Sequence, residues 1–234
     1  RKESSAASDV YKRQHIMIKR TNRNAMYKLL EKNPDWKVLD MASSNAGWKY
    51  ADVFTDVVDH SEYYKEKYNG TKTFIQCNVE NNTFKDKEFD FVIASHILEH
   101  VEDPFHFCKE LSRISKKGYI EVPTPLWDNL MDGPTFVKYG HKWWVTFDDD
   151  ENKIIINKKI NIVKNILSIK EHNKHMMFFR DSILTQLYWE DSIPIEKGTG
   201  VYTYNDNRNI NDSFDSNTLE DWNNRFMFNF GTLK

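Results

Sequence analysis

Apolar residues in this chain gather into short continuous runs, separated by stretches of helical spacing. Asn22 to Glu31 places Ala25, Met26, Leu29 and Leu30 on one stripe, which predicts a helix that Asn33-Pro34 stops. Lys37 to Met41 is a first strand, short and continuous as expected for a strand buried on both faces. Asp52 to Asp56 is a second, with an extension to Asp59 left open. Ser61 to Lys67 reads as a helix with Ser61 as its N-cap, and Thr73 to Cys77 is a third strand after the Asn69-Gly70 turn. Glu80 to Asp86 is a polar connection. Phe89 to Ala94 is a fourth strand and the most strongly apolar. Pro104 to Ile114 carries Phe105, Phe107, Cys108, Leu111 and Ile114 on a helical stripe, closed by Lys116-Lys117-Gly118. Tyr119 to Val122 is a fifth strand, ended by Pro123-Thr124-Pro125. Strands alternating with helical segments predict an α/β fold with a doubly wound, mostly parallel sheet.

One connection is short for such a fold. A parallel crossover needs a dozen or more residues, usually helical. Between Ala42 and Ala51 there is room for a loop and about one turn, so the first crossover helix is trimmed. After Pro125 the pattern changes. Leu126 to Gly140 is loop-like, and Lys142 to Phe147 with Lys153 to Ile156 reads as an antiparallel hairpin around Asp148 to Asn152. Asn161 to Ile169 and His172 to Leu187 have helical spacing. Ile193 to Ile195, Val201 to Tyr204 and the alternating Phe226, Phe228 and Phe230 fit strands that complete the sheet. Asn205 to Asn217 is a polar loop, and Thr218 to Asn223 a helical turn with capping-box spacing. Residues 1 to 16 lack any apolar period and read as a non-native-looking or disordered tail ahead of Met17. Residues 17 to 234 read as one domain, with a cofactor-binding half to residue 125 and an acceptor-pocket elaboration with closing strands after it.

Composition narrows the function classes. With 234 residues and a net charge of −2, there is no global field to draw nucleic acid. A 14% aromatic fraction supplies a core and side chains for a pocket. Two distant cysteines, Cys77 and Cys108, make neither a disulfide scaffold nor a zinc motif, so a reducing cytoplasm is expected. No apolar run approaches the ~20 residues of a membrane span, so no membrane insertion is expected.

Candidate chemistry concentrates between Trp36 and Asp59. A strand ends on Asp40, a loop of small residues runs from Ala42 to Gly47, and a second strand ends on acids, Asp56 and Asp59. Small residues let the backbone approach a ligand closely, and the second acid can accept hydrogen bonds from ribose hydroxyls. This is the layout of a nucleotide-type cofactor site. A solvated turn is the plainer reading of Asp56 and Asp59, and a strand-terminal loop cap the plainer reading of Asp40.

The stretch from Val38 to Pro125 resembles the class I S-adenosylmethionine-dependent methyltransferases, in particular the type 11 group. VLDMASSNAG stands where that family has its glycine-rich first motif, CNVENNTF where it has an acid-bearing loop over adenine, and GYIEVPTP where it has the fifth strand. FDFVIASHILEHVEDP matches the fourth-strand motif and is the most specific piece. The resemblance implies a Rossmann-like, seven-stranded sheet with an antiparallel last strand, and S-adenosylmethionine at the carboxyl ends of the first strands; the hairpin read above is then an insertion after strand five. It also implies that Asp40, Met41 and the Ala42, Ser43, Ser44, Asn45 and Gly47 backbone hold the methionine end. Asp56 or Asp59 would hold the ribose, Asn78 and Val79 the adenine, and Ser95 and His96 would line the methyl-transfer end. The usual glycines are replaced by Ala42, Ser44 and Ala46, with Gly47 displaced. Positions that need a positive φ would therefore be strained.

The implied reaction is methyl transfer to a small-molecule, sugar or lipid-precursor O or N acceptor. A non-catalytic cofactor- or nucleotide-binding accessory protein is the alternative. A NAD-dependent dehydrogenase is disfavoured by the missing G-x-G-x-x-G. His96 and His141 are the candidate catalytic residues, His141 because it precedes Trp143-Trp144 in a segment suited to wall an acceptor off from water. Glu99-His100 offers an acid/base pair or half of a metal site, and no metal is assigned to it. Asp148 to Glu151 reads as a solvated turn.

Overall fold

A computed structural model describes residues 17–125, 127, 140–159 and 183–199. Among these, seven strands form one sheet. In chain order they are β1 (Met17–Arg20), β2 (Val38–Met41), β3 (Val53–Asp56), β4 (Thr73–Gln76), β5 (Phe91–Ser95), β6 (Lys117–Pro123) and β9 (Leu184–Glu190). The spatial order is β1-β9-β6-β5-β2-β3-β4. The five strands from β4 to β6 across the sheet run parallel, whereas β9 is antiparallel to both β6 and β1. This is the Rossmann-like, mostly parallel sheet expected, with its last strand in chain order antiparallel.

Period-two alternation assigns the two faces. In β5, Phe91 and Ile93 pack with Met26 and Leu30 of α1 (Arg23–Glu31), with Tyr64 of α2 (Ser61–Lys67), and with Trp48 and Phe54. Val92 and Ala94 face the other way, onto Phe107, Cys108, Leu111 and Ile114 of α3 (Pro104–Ile114). Each helix is started by a side chain or charge that suits it. Asn22 Oδ1 accepts the Ala25 N–H at 2.9 Å, and Asp103 Oδ1 accepts the Phe105 and His106 N–H groups, with Pro104 at the first helical position.

β7 (Trp143–Asp148) and β8 (Lys153–Lys158) form an antiparallel hairpin, and β10 (Ile195–Lys197) joins β8 in parallel to make a second, three-stranded sheet. Val145, Phe147, Ile154 and Ile156 of the hairpin are buried in the same core as α3. Arg20 at the end of β1 holds both Asp149 oxygens, at 2.7 and 2.8 Å, on the hairpin turn. That turn is otherwise self-contained, since Asp148 Oδ1 accepts the Asp150 and Glu151 N–H groups.

Three expectations are corrected. Residues 184–187 were expected in a helix. They instead begin β9, whose first six residues are all buried and which pairs on both edges, so tertiary pairing decides the conformation. Met17–Arg20, assigned no element from the sequence, is an edge strand. Only Ile18 is well buried, with Met17 half-buried and Lys19 and Arg20 exposed, so it carries little apolar signal. Ile195 lies in a strand of the small sheet rather than at the end of the large one. The trimmed first crossover is as expected: no helix lies between β2 and β3. The expected elements over 161–169, 172–182, 201–204 and 205–230 lie outside the described residues.

Candidate cofactor crevice

Topology fixes where a ligand can bind. The chain leaves β2 towards β3 on one side, and β5 takes the opposite side of β2. The carboxyl ends of β2 and β5 therefore border the crevice that opens where strand order reverses. The loops over this crevice are residues 42–52 after β2 and 96–103 after β5.

The first loop is pinned almost amide by amide. Ser43 N donates to Thr55 O at 2.8 Å, Ser44 N to Asp56 Oδ2 at 3.0 Å, Ala46 N to Ser43 O at 3.0 Å and Gly47 N to the Tyr64 hydroxyl at 3.0 Å. The Tyr64 hydroxyl donates in turn to Ser43 Oγ at 3.0 Å. Trp48 N donates to Asp40 Oδ2 at 2.7 Å, so Asp40 does cap this loop. Ala42 and Ser44 have φ of 53° and 48°, in the left-handed region where glycine is at ease. The expected strain is therefore present at two of the replaced glycines. Gly47 is required for a different reason: a Cβ there would stand 2.5 Å from Phe54 Cε1 and from the Tyr64 hydroxyl oxygen.

The two acids that compete for one role separate here. Asp56 ends β3, half-buried; its Oδ2 accepts the Ser44 N–H of the loop, and its Oδ1 accepts the Val58 N–H of its own turn. Asp59 is exposed and accepts the Ser61 N–H at 2.8 Å, which holds its pKa below the usual carboxylate range. Asp40 is 2% exposed, and burial pushes it up to about 7, against the Trp48 N–H and the Arg23 charge, which both lower it. Met41 and Val79 have side chains in the apolar core. Asn45 is exposed. Asn78, also exposed, starts the turn at Val79–Asn81 by accepting the Glu80 N–H at 2.9 Å.

At the end of β5, Ser95 and His96 meet a buried polar network that sequence reasoning did not reach. Glu121 of β6 is fully buried and takes the Arg23 guanidinium in an ion pair. His96 Nε2 stands 3.2 Å from Glu121 Oε1, the Tyr119 hydroxyl donates to Glu121 Oε2 at 2.6 Å, and Ser95 Oγ donates to Oε1 at 3.3 Å. Gln186 of β9 accepts the Arg23 N–H at 3.0 Å. Burial works against the Glu121 charge, but His96, Arg23 and Tyr119 outweigh it and hold its pKa far below the carboxylate range. Burial likewise opposes charge on His96, but Glu121 and Glu99 outweigh it and push its pKa up to about 9. The Arg23 guanidinium also lies over the Trp48 ring, 5.0 Å from its centroid, and so links this network to the first loop. The signal for it was the acid in YIEV, since a carboxylate inside a doubly covered strand requires partners.

His141 packs edge-to-face on His100, with ring centroids 4.6 Å apart, beside Glu99. No described helix is long and apolar enough to cross a membrane.

Residues 45–120 match the family model described as a methyltransferase domain. No curated protein matches the chain. Among solved structures, a Pyrococcus horikoshii protein matches at 19% identity and a TM-score of 0.42, covering 70% of this chain and 87% of that one. A Methanosarcina mazei SAM-dependent methyltransferase matches at 15% identity and a TM-score of 0.39, covering 69% and 93%. A Thermotoga maritima SAM-dependent methyltransferase, described as a possible histamine N-methyltransferase, matches at 20% identity and a TM-score of 0.31. That match covers 37% of this chain, which spans less than half, 43%, of the Thermotoga protein. The matched segment runs from the loop after β2 into β6, so the part of the chain similar to a methyltransferase domain lies on the Rossmann-like sheet and includes the loop after β5.

Proposed function

We propose that this protein transfers a methyl group from S-adenosylmethionine to an O or N atom of a small-molecule acceptor. The observation that carries the reading is the juxtaposition of Asp56 with the left-handed loop at the strand-order reversal. The loop residues fit the cofactor: two residues with positive φ turn the backbone across the crevice, and their side chains are only a methyl and a hydroxymethyl group. In this reading Asp40 and the backbone from Met41 to Gly47 hold the methionine end. Asp56 holds the ribose hydroxyls, because it is tied to the loop by the Ser44 N–H and each of its oxygens keeps a lone pair beyond its one backbone hydrogen bond. Asp59 is committed to the start of α2 instead. Asn78 and Val79 border the adenine, and Ser95 and His96 line the methyl-transfer end.

The cofactor supplies an electrophilic methyl group on a sulfonium. The chain's part is to hold the acceptor atom in line with it and to exclude water. Arg23, Glu121 and Tyr119 lock the floor beneath Ser95 and His96, so the position of that edge is set before any ligand arrives.

A second reading, a non-catalytic binder of the cofactor, is favoured by the strained alanine and serine at the glycine positions. Release of S-adenosylhomocysteine from S-adenosylmethionine, followed across a panel of small hydroxyl and amine acceptors, separates the two. Acceptor-dependent release supports methyl transfer; tight binding with no release from any acceptor supports the second reading.

A further inference from the structure

One cluster takes no part in the proposed methyl-transfer reading. Glu99 and His100 lie on the turn after β5, and His141 lies just ahead of β7. One ligand atom from each lies within 4.8 Å of the other two. Glu99 is 1% exposed, and neither of its carboxylate oxygens accepts a hydrogen bond. A carboxylate in that position is normally paired with a cation or bound to a metal. His96 Nδ1 and His100 Nε2 stand 3.5 and 3.9 Å from Glu99 Oε1, within ion-pair reach but longer than a good hydrogen bond, so His96 offsets part of the Glu99 charge while Glu99 Oε2 is left without a donor.

The backbone holds the cluster together from both sides. Lys142 N and Trp143 N both donate to Glu99 O, at 2.7 and 3.3 Å, and Trp143 Nε1 donates to Val101 O at 2.8 Å. Lys142 Nζ pairs with Glu102 at 2.6 Å. These bonds fix His141 against the 99–100 turn although the two segments are far apart in sequence. The edge-to-face packing of His100 and His141 lets each ring aim one nitrogen at a common point.

We propose that Glu99, His100 and His141 form a binding site for one divalent cation of the zinc class. Two imidazole nitrogens and one carboxylate suit Zn²⁺ and neighbouring transition ions, whereas Mg²⁺ and Ca²⁺ prefer an all-oxygen shell. Bonds of about 2.1 Å in a tetrahedral shell put ligand atoms about 3.4 Å apart. The three side chains therefore draw in by rotation on backbones that are already fixed. Three protein ligands leave a coordination position for water or for an oxygen atom of a ligand, as in open zinc sites. The ion neutralises the buried Glu99, and His96 becomes an outer partner of that carboxylate.

The test is a titration of chelator-treated full-length protein with Co²⁺ alone, read by visible absorption, followed by displacement with Zn²⁺ and a parallel titration with Mg²⁺. The expected result is one Co²⁺ per chain, displaced by Zn²⁺ and indifferent to Mg²⁺. His141→Ala and His100→Ala should each weaken Co²⁺ binding by about 100-fold. Glu99→Gln should also lose the ion, while its apo form still unfolds in one cooperative step like the parent, which separates loss of a ligand from loss of the fold. Absence of saturable one-to-one binding overturns the site, as does unchanged affinity in both histidine variants. If one histidine variant fails to fold, the other decides. No cofactor is present in the titration, so its failure is distinct from failure of the methyl-transfer reading.

Discussion

Asp56 at the end of β3 reaches across to the loop after β2, where its Oδ2 accepts the Ser44 N–H at 3.0 Å. Asp59, a little further on, turns to the start of α2 and accepts the Ser61 N–H. Of the two hydrogen bonds, only the first ties its acid to the loop after β2. Asp56→Ala should weaken S-adenosylhomocysteine binding by about 150-fold, the loss of two hydrogen bonds to a charged group at about 1.5 kcal/mol each. Asp59→Ala should stay within about threefold. Calorimetric titration of the two variants side by side decides it, and equal losses would remove Asp56 from the ribose role.

The left-handed alanine and serine of that loop have a measurable cost. A non-glycine residue at positive φ is disfavoured by about 1 kcal/mol. Ser44→Gly keeps the backbone N–H that Asp56 accepts and relieves the strain at φ 48°. It should raise stability by about 0.5–1 kcal/mol, part of the gain being offset by the greater freedom of glycine in the unfolded chain. Denaturant unfolding at fixed protein concentration measures it. A destabilised Ser44→Gly would mean that the serine side chain holds the loop.

Asp40 supplies a pH signature. Its ordinary pKa of 3.8 rises to about 7 in the fold, chiefly through burial. A raised carboxyl pKa means that the folded state favours the protonated form. This contribution to stability is therefore fully present below about pH 3.8 and is lost as pH rises through about 7. Asp40→Asn keeps an acceptor for the Trp48 N–H without the ionisation. Its melting temperature should fall a few degrees less than the parent's between about pH 5 and about pH 8. Identical pH profiles would show that Asp40 stays ionised throughout.

The pair of half-buried Arg23 and buried Glu121 behaves in the opposite sense. Glu121 is held well below its ordinary 4.5, so the stability it contributes is present above that value and is lost as pH falls below it. Arg23→Met removes the guanidinium but leaves His96 and Tyr119 on the carboxylate. The expected loss is about 2–3 kcal/mol near neutral pH, at the low end for breaking a buried pair. Urea unfolding across the acid range should show a shallower acid limb for Glu121→Gln than for the parent.

Much of the sheet could be read from apolar runs alone, because β2, β3, β5 and β6 are short, continuous and buried on both sides. β9 could not. Its LTQLYWE follows a stretch with helical spacing, and only pairing with β6 and β1 makes it a strand. β1 was hidden because an edge strand with one well-buried residue carries almost no pattern. At the site, Asp40 and the small-residue loop were visible as chemistry. The choice between Asp56 and Asp59 was not, since it depends on which carboxylate turns back to the Ser44 amide. Nor was the meeting of His141 with Glu99 and His100, which rests on backbone hydrogen bonds between distant segments. The Arg23–Glu121 network was announced only by an acid in an apolar strand, and its partners come from α1, β6 and β9.

The central claim is that the crevice at the ends of β2, β3 and β5 takes S-adenosylmethionine. Isothermal titration of the whole chain with S-adenosylmethionine, S-adenosylhomocysteine and NAD tests it most directly. One-to-one binding of both sulfur compounds with a Kd below about 1 mM, and no heat from NAD, is the predicted result. Absence of binding by either sulfur compound at that concentration, or tighter binding of NAD, would contradict it.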